Sequence, residues 1–172
     1  GIANGKTGQI AQAIEAFQQA LRINPEFADA WDNLGTAYNI SGQSTKAIEA
    51  FQQALRISPE HANTWNKLGT AYDESNQSAK AIETFQQALR INPEHAGAWN
   101  NLGVTYARAG QSAKAIEAYQ QALRIDPKDA DAWFNLGVEY EKADQPAQVI
   151  EALQQALRIN PEHARAWYNL GV

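Results

Sequence analysis

The sequence predicts an all-α protein, a solenoid of antiparallel helix pairs, and three observations predict it. Tryptophan returns at positions 31, 65, 99, 133 and 167, always 34 residues apart. Leucine and glycine follow each one in step (Leu34 and Gly35, Leu68 and Gly69, Leu102 and Gly103, Leu136 and Gly137, Leu170 and Gly171), and then tyrosine at 38, 72, 106 and 140. Phe17, Phe51, Phe85 and Tyr119 keep the same register, as do Ala20, Ala54, Ala88, Ala122 and Ala156, and Pro25, Pro59, Pro93, Pro127 and Pro161. A fixed period of this length signals stacked copies of one supersecondary unit.

Four full copies are read at 28–61, 62–95, 96–129 and 130–163, with partial copies at 1–27 and 164–172, all in one solenoid spanning 1–172. Residues 1–27 are expected to supply the tail of a first helix and a complete second helix. In the first full copy Trp31, Leu34 and Tyr38 stand at i, i+3 and i+7, which places them on one face of a helix. Ala47, Ile48, Phe51, Ala54 and Leu55 form a second such stripe, stopped by Pro59, whose ring and missing N–H forbid continuation. The links between the two helices read ISGQS, ESNQS, RAGQS and KADQP. Asn76, Gly110 and Asp144 take the slot of Gly42, and these residue types best tolerate positive φ after a helix. Residues 164–172 start a first helix only. A lone hairpin cannot bury both sides of its aromatics, each of which removes ~150 to 250 Å² from water, worth up to ~4 to 6 kcal/mol. Stacking on the neighbouring copy collects that term.

Trp, Leu-Gly, Tyr, then Ala, Phe and Pro at these spacings resemble the tetratricopeptide repeat (TPR) family over essentially the whole chain. The resemblance implies a right-handed superhelix with first helices lining a concave face, and close helix contact at the Gly35 and Ala47 positions. Val149 departs from the pattern of Ala13, Ala47, Ala81 and Ala115, so the last full hairpin is expected to spread or tilt, with Leu153 in the aromatic slot making room. Truncating Trp99 is expected to cost ~3 to 5 kcal/mol.

Composition narrows the function. A net charge of −5 and a pI of about 5.2 offer no cation excess for nucleic acid. No apolar run approaches the ~20 residues of a membrane span. Cysteine is absent, removing thiolate chemistry, and the lack of any methionine reads as a fragment of a longer array or a processed chain. His61, His95 and His163 share one slot with Asp129 at the start of first helices, where an N-cap belongs. Equivalent atoms of stacked copies lie ~8 to 10 Å apart, too far for one metal. Arg22, Arg56, Arg90, Arg124 and Arg158 form a line balanced by Glu15, Glu49, Glu83, Glu117 and Glu151, which reads as a solvated outer face. No catalytic motif is present, so no enzyme, cofactor or metal is expected.

Binding is therefore sought on exposed first-helix slots. Two residues after each tryptophan come Asn33, Lys67, Asn101, Asn135 and Asn169; asparagine can pair with both the N–H and C=O of an extended peptide. This resembles the asparagine ladder of TPR proteins that hold peptides, including O-linked N-acetylglucosamine transferases and peroxisomal import receptors. By the same resemblance Asp32, Thr36, Asn66, Thr70 and Asn100 face inward, followed by Val104, Phe134 and Val138, a gradation from acidic to apolar. The lysine and asparagine clamp of chaperone-tail TPR domains is not matched by Asp32, Thr36, Asn66 and Thr70. The expected function is a protein-interaction scaffold holding a peptide or protein segment. Alternatives are a module that self-associates head to tail through its open ends, or the repeat arm of a larger enzyme such as a glycosyltransferase. Partner, pathway and compartment are not written in these residues, the bacterial cytoplasm being suggested by style alone.

Overall fold

The computed structural model describes residues 2–171, and the side chains of 8–171. Among these residues there are ten helices and no strands: α1 (Ile2–Ile23), α2 (Ala28–Ile40), α3 (Ser44–Ile57), α4 (Ala62–Glu74), α5 (Ser78–Ile91), α6 (Ala96–Arg108), α7 (Ser112–Ile125), α8 (Ala130–Lys142), α9 (Pro146–Ile159) and α10 (Ala164–Leu170). Two compact units contain them, Gly1–Asn92 with α1 to α5 and Pro93–Val172 with α6 to α10. In the first, α2 pairs with α3 and α4 with α5, while α3 packs on α4 and α1 on α2; in the second, α6 pairs with α7 and α8 with α9, while α7 packs on α8 and α10 on α9.

The hairpin turns follow from the residues in the Gly42 slot. Gly42, Asn76, Gly110 and Asp144 have φ of 74°, 57°, 71° and 56°. That left-handed step turns Gln43, Gln77, Gln111 and Gln145 so that their N–H groups donate to Tyr38, Tyr72, Tyr106 and Tyr140 carbonyls at 2.9 to 3.0 Å, satisfying the last free carbonyls of the first helix. At the other end of each first helix the expected caps form in three of four cases. His95 and His163 accept from Ala98 and Ala166 N–H at 3.2 Å, and Asp129 from Ala132 N–H at 2.9 Å. His61 instead meets the Thr64 hydroxyl at 3.3 Å.

Three expectations need correction. First, α1 runs unbroken from Ile2 to Ile23, through Gly8, which stands 34 residues before Gly42. Continuing an existing helix adds one hydrogen bond for each further residue fixed. Gly1 and Val172, the outer limits of the two partial repeats, lie outside the described residues. Second, the tryptophans, one of which is expected to be so costly to truncate, are not the deepest anchors. Trp31, Trp65, Trp99 and Trp133 are half-buried, whereas Phe51 and Phe85 are 1% exposed and Tyr119 2%. Each indole N–H reaches back to the carbonyl of the proline six residues earlier, from Trp31 to Pro25 at 2.8 Å through Trp133 to Pro127 at 3.0 Å. Tryptophan thus latches the inter-repeat turn while one edge of the ring stays wet. Third, the close helix contact is between glycine and an aromatic ring: a Cβ added at Gly35 would lie 2.7 Å from Phe51, at Gly69 2.6 Å from Phe85, and at Gly103 2.7 Å from Tyr119. Ala47, Ala81 and Ala115 are fully buried beside these contacts, while Val149 is only half-buried.

The outer arginines also choose partners that local spacing does not show. Arg56 pairs with Glu26 at 2.9 Å and Arg124 with Glu94 at 3.0 Å, each with a glutamate 30 residues earlier. These pairs are more than half exposed and contribute little.

Candidate functional site

The first helices carry every candidate contact residue. In the first unit α2 and α4 run side by side over α3, and between them lies a crevice of about 120 Å³ lined by Thr36, Asn39, Ile40, Lys67 and Thr70, with the Phe51 ring at its base. Thr36, Lys67 and Thr70 are sequence-expected; Asn39 and Ile40 are not. Ile40 lies outside the apolar stripe and is 67% exposed, and Asn39 Oδ1 is buried with no hydrogen-bond partner. An apolar residue in the last turn of an otherwise polar helix face was the available signal. Thr36 and Thr70 donate their hydroxyls to Asp32 and Asn66 carbonyls one turn back, at 3.0 and 3.2 Å, leaving only lone pairs toward the crevice.

Asp32 is not an open acidic contact. Its carboxylate accepts from Thr64 Oγ1 at 2.8 Å and from Lys67 Nζ at 2.5 Å. The lysine that interrupts the asparagine series is thereby explained: it neutralises a carboxylate of the preceding repeat. Asn33 is exposed and Asn66 half-buried.

In the second unit Asn100, Asn101, Asn135 and Asn169 are half-buried on α6, α8 and α10, with Val104 and Val138 half-buried one turn on. Asn100 Oδ1 is buried and has no hydrogen-bond partner. Phe134 contradicts its expected role as an exposed anchor. It is 3% exposed, part of a core cluster with Leu153, Ala156, Leu157 and Ala166. Its ring centroid lies 4.9 Å from that of His163, and the Arg165 guanidinium sits 4.6 Å from it. The α10 helix covers it, which position within one repeat cannot reveal. With Asp32 neutralised and Phe134 covered, the acidic-to-apolar gradation fails at both ends.

Glu139 is the unforeseen group. It occupies the slot of Ala37, Ala71 and Thr105, is 2% exposed, and binds Lys142 Nζ with one oxygen at 2.6 Å while the other is buried without a hydrogen bond. Burial, with a smaller push from Glu139 and an opposing pull from Arg108, holds the Tyr119 hydroxyl well above the usual tyrosine range. Thr105 shows a quieter solution in that slot, its hydroxyl bonded to the Asn101 carbonyl at 2.9 Å. Glu139→Thr is therefore expected to stabilise the protein by about 1 kcal/mol, since an uncompensated buried carboxylate oxygen is removed and Lys142 is left in solvent. A lower urea midpoint for the variant would refute this.

No group of three or more His, Cys, Asp or Glu able to hold a metal is found among the described residues. No helix among them is long and apolar enough to cross a membrane.

Comparison with known proteins bears on this arrangement. Residues 1–171 match the family model described as the Cilia and flagella-associated protein 70 C-terminal domain. The crystal structure of MamA is similar with a TM-score of 0.85 at 26% identity, covering 95% of each chain. The structure of YrrB, described as a TPR protein with an unusual peptide-binding site, is similar with a TM-score of 0.80 at 25% identity, covering 98% of this chain and 87% of that one. Curated proteins yield no match.

Proposed function

Because the chain belongs to the Cilia and flagella-associated protein 70 C-terminal domain family and shares its helix-pair fold with tetratricopeptide repeat proteins, we propose that it is a non-catalytic protein-interaction scaffold that holds an extended segment of a partner along its first helices. The observation that carries this reading is the α2–α4 crevice. It gathers three residues expected from sequence, an exposed isoleucine and an unpartnered buried acceptor, Asn39 Oδ1. An apolar side chain entering over Ile40 and Phe51 would bring its own backbone N–H within reach of polar rim groups. In the second unit Asn101 and Asn135 are the backbone-reading pair. A bound strand rises ~3.3 Å per residue, so such side chains meet about every third peptide unit.

Binding of an array of tiled, uncharged extended peptides tests the reading. Asn101→Ala with Asn135→Ala is expected to weaken the best binder about five- to thirtyfold, the loss of two net hydrogen bonds, and to move Tm by no more than about 2 °C. Unchanged affinity in the double variant would remove the asparagines from the site.

A further inference from the structure

Three of the repeats carry a lysine against the ring of their conserved tyrosine. Lys46, Lys80 and Lys114 each place the ammonium 5.4 Å from the centroid of Tyr38, Tyr72 and Tyr106. Each also donates to the turn glutamine, Gln43, Gln77 and Gln111, at 2.8 to 2.9 Å. The fourth repeat keeps both receptors, Tyr140 and Gln145, but has Gln148 where the lysine stands. The two receiving residues are kept while the cation is gone.

Beside it, among α7, α8 and α9, is a cavity of about 360 Å³ whose lining includes Leu123, Trp133, Leu136, Tyr140, Gln148 and Glu151. At ~30 Å³ for each water-sized group, a four-carbon stem with its terminal nitrogen fits with room to spare. Leu123, Trp133 and Leu136 would flank such a stem, and Glu151 supplies a carboxylate. The one cation on the lining, Arg124, is already held by Glu94 at 3.0 Å and Gln121 at 3.1 Å. Tyr140 is kept in place by Gln120, which donates to its hydroxyl at 2.8 Å.

We propose that this cavity is a docking site for a lysine side chain of a partner protein, with the ammonium over the Tyr140 ring and against the Gln145 side-chain oxygen. An ammonium within about 6 Å of a tyrosine ring face is attracted by the ring's quadrupole, and the three internal lysines display the bound form. The site uses the Trp133, Leu136 and Tyr140 face of α8, whereas the proposed peptide contacts use Asn135 and Val138, so the two stand or fall separately.

The test is an NMR titration of the labelled protein with n-butylammonium chloride at constant ionic strength, with n-butanol as the neutral isostere. The ammonium should give saturable shifts at the Tyr140 ring and the Gln145 side-chain amide, with an apparent affinity about two- to fivefold above that of butanol. Gln148→Lys restores the internal cation in a position where three other repeats carry it, and should abolish the response. Tyr140→Leu, which removes the ring face, should abolish it too. Equal responses to ammonium and alcohol, or a full ammonium response in either variant, would overturn the proposal.

Discussion

Phe85→Ala is expected to destabilise the first unit by about 3 to 5 kcal/mol, a loss matched there by Phe51→Ala. The ring is 1% exposed and lies across Gly69 of the paired helix, so the wall facing the new cavity is backbone with no side chain able to fold into it. Thr84 and Ala81, its buried neighbours on α5, are themselves small and tightly placed. The hole therefore stays open, and the cost sits at the cavity-dominated end of the range rather than the transfer-only end. Trp99→Ala should cost less, about 2 kcal/mol, because that residue is only partly buried and its chief loss is the 2.9 Å bond to the Pro93 carbonyl. Urea unfolding of each variant, monitored by circular dichroism, checks the order. A Trp99→Ala loss larger than that of Phe85→Ala would mean that the tryptophans, after all, are the anchors.

That reversal marks where sequence reading stopped. Period and face were legible: the stripes of Trp31, Leu34 and Tyr38 and of Ala47, Phe51 and Leu55 became the paired helices α2 and α3, and the Gly42 slot turned left-handed in all four hairpins. Depth was not. A 3.6-residue spacing says that Trp31 and Phe51 face inward, but which of the two is fully covered depends on how closely the helices approach, and that is set by a glycine on the opposite helix. Contacts between repeats were equally hidden. Asp32 finds Lys67 35 residues later, and Phe134 is covered by His163, which caps α10, and by Arg165 within it, neither of which any within-repeat comparison exposes. The candidate groove was thus legible as a set of helix positions, while the charge and exposure of those positions were decided by the neighbouring copy.

The glycine that sets the approach gives the second large effect. Gly69→Ala should lower stability by roughly 2 kcal/mol even though alanine is the better helix former by about 1 kcal/mol, because the new methyl would stand 2.6, 2.7 and 2.9 Å from three atoms of the Phe85 ring. That ring is enclosed, so relief requires the α4–α5 pair to open, and overpacking of this kind costs up to about 3 kcal/mol. The fourth repeat supplies an internal control. At Gly137 the corresponding approach is 3.2 Å, to Cδ2 of Leu153, a methyl at the end of a rotatable side chain. Gly137→Ala should therefore be close to neutral, the helix-propensity gain of about 1 kcal/mol offsetting a small shift of that methyl. The same logic makes Phe85→Leu a partial suppressor: combined with Gly69→Ala it should cost less than the sum of the two single changes, a coupling of about 1 kcal/mol or more in a double-mutant cycle. Additive losses, or equal losses for Gly69→Ala and Gly137→Ala, would show that the ring does not set the distance between paired helices, and the account of these hairpins as glycine-to-aromatic contacts would have to be abandoned.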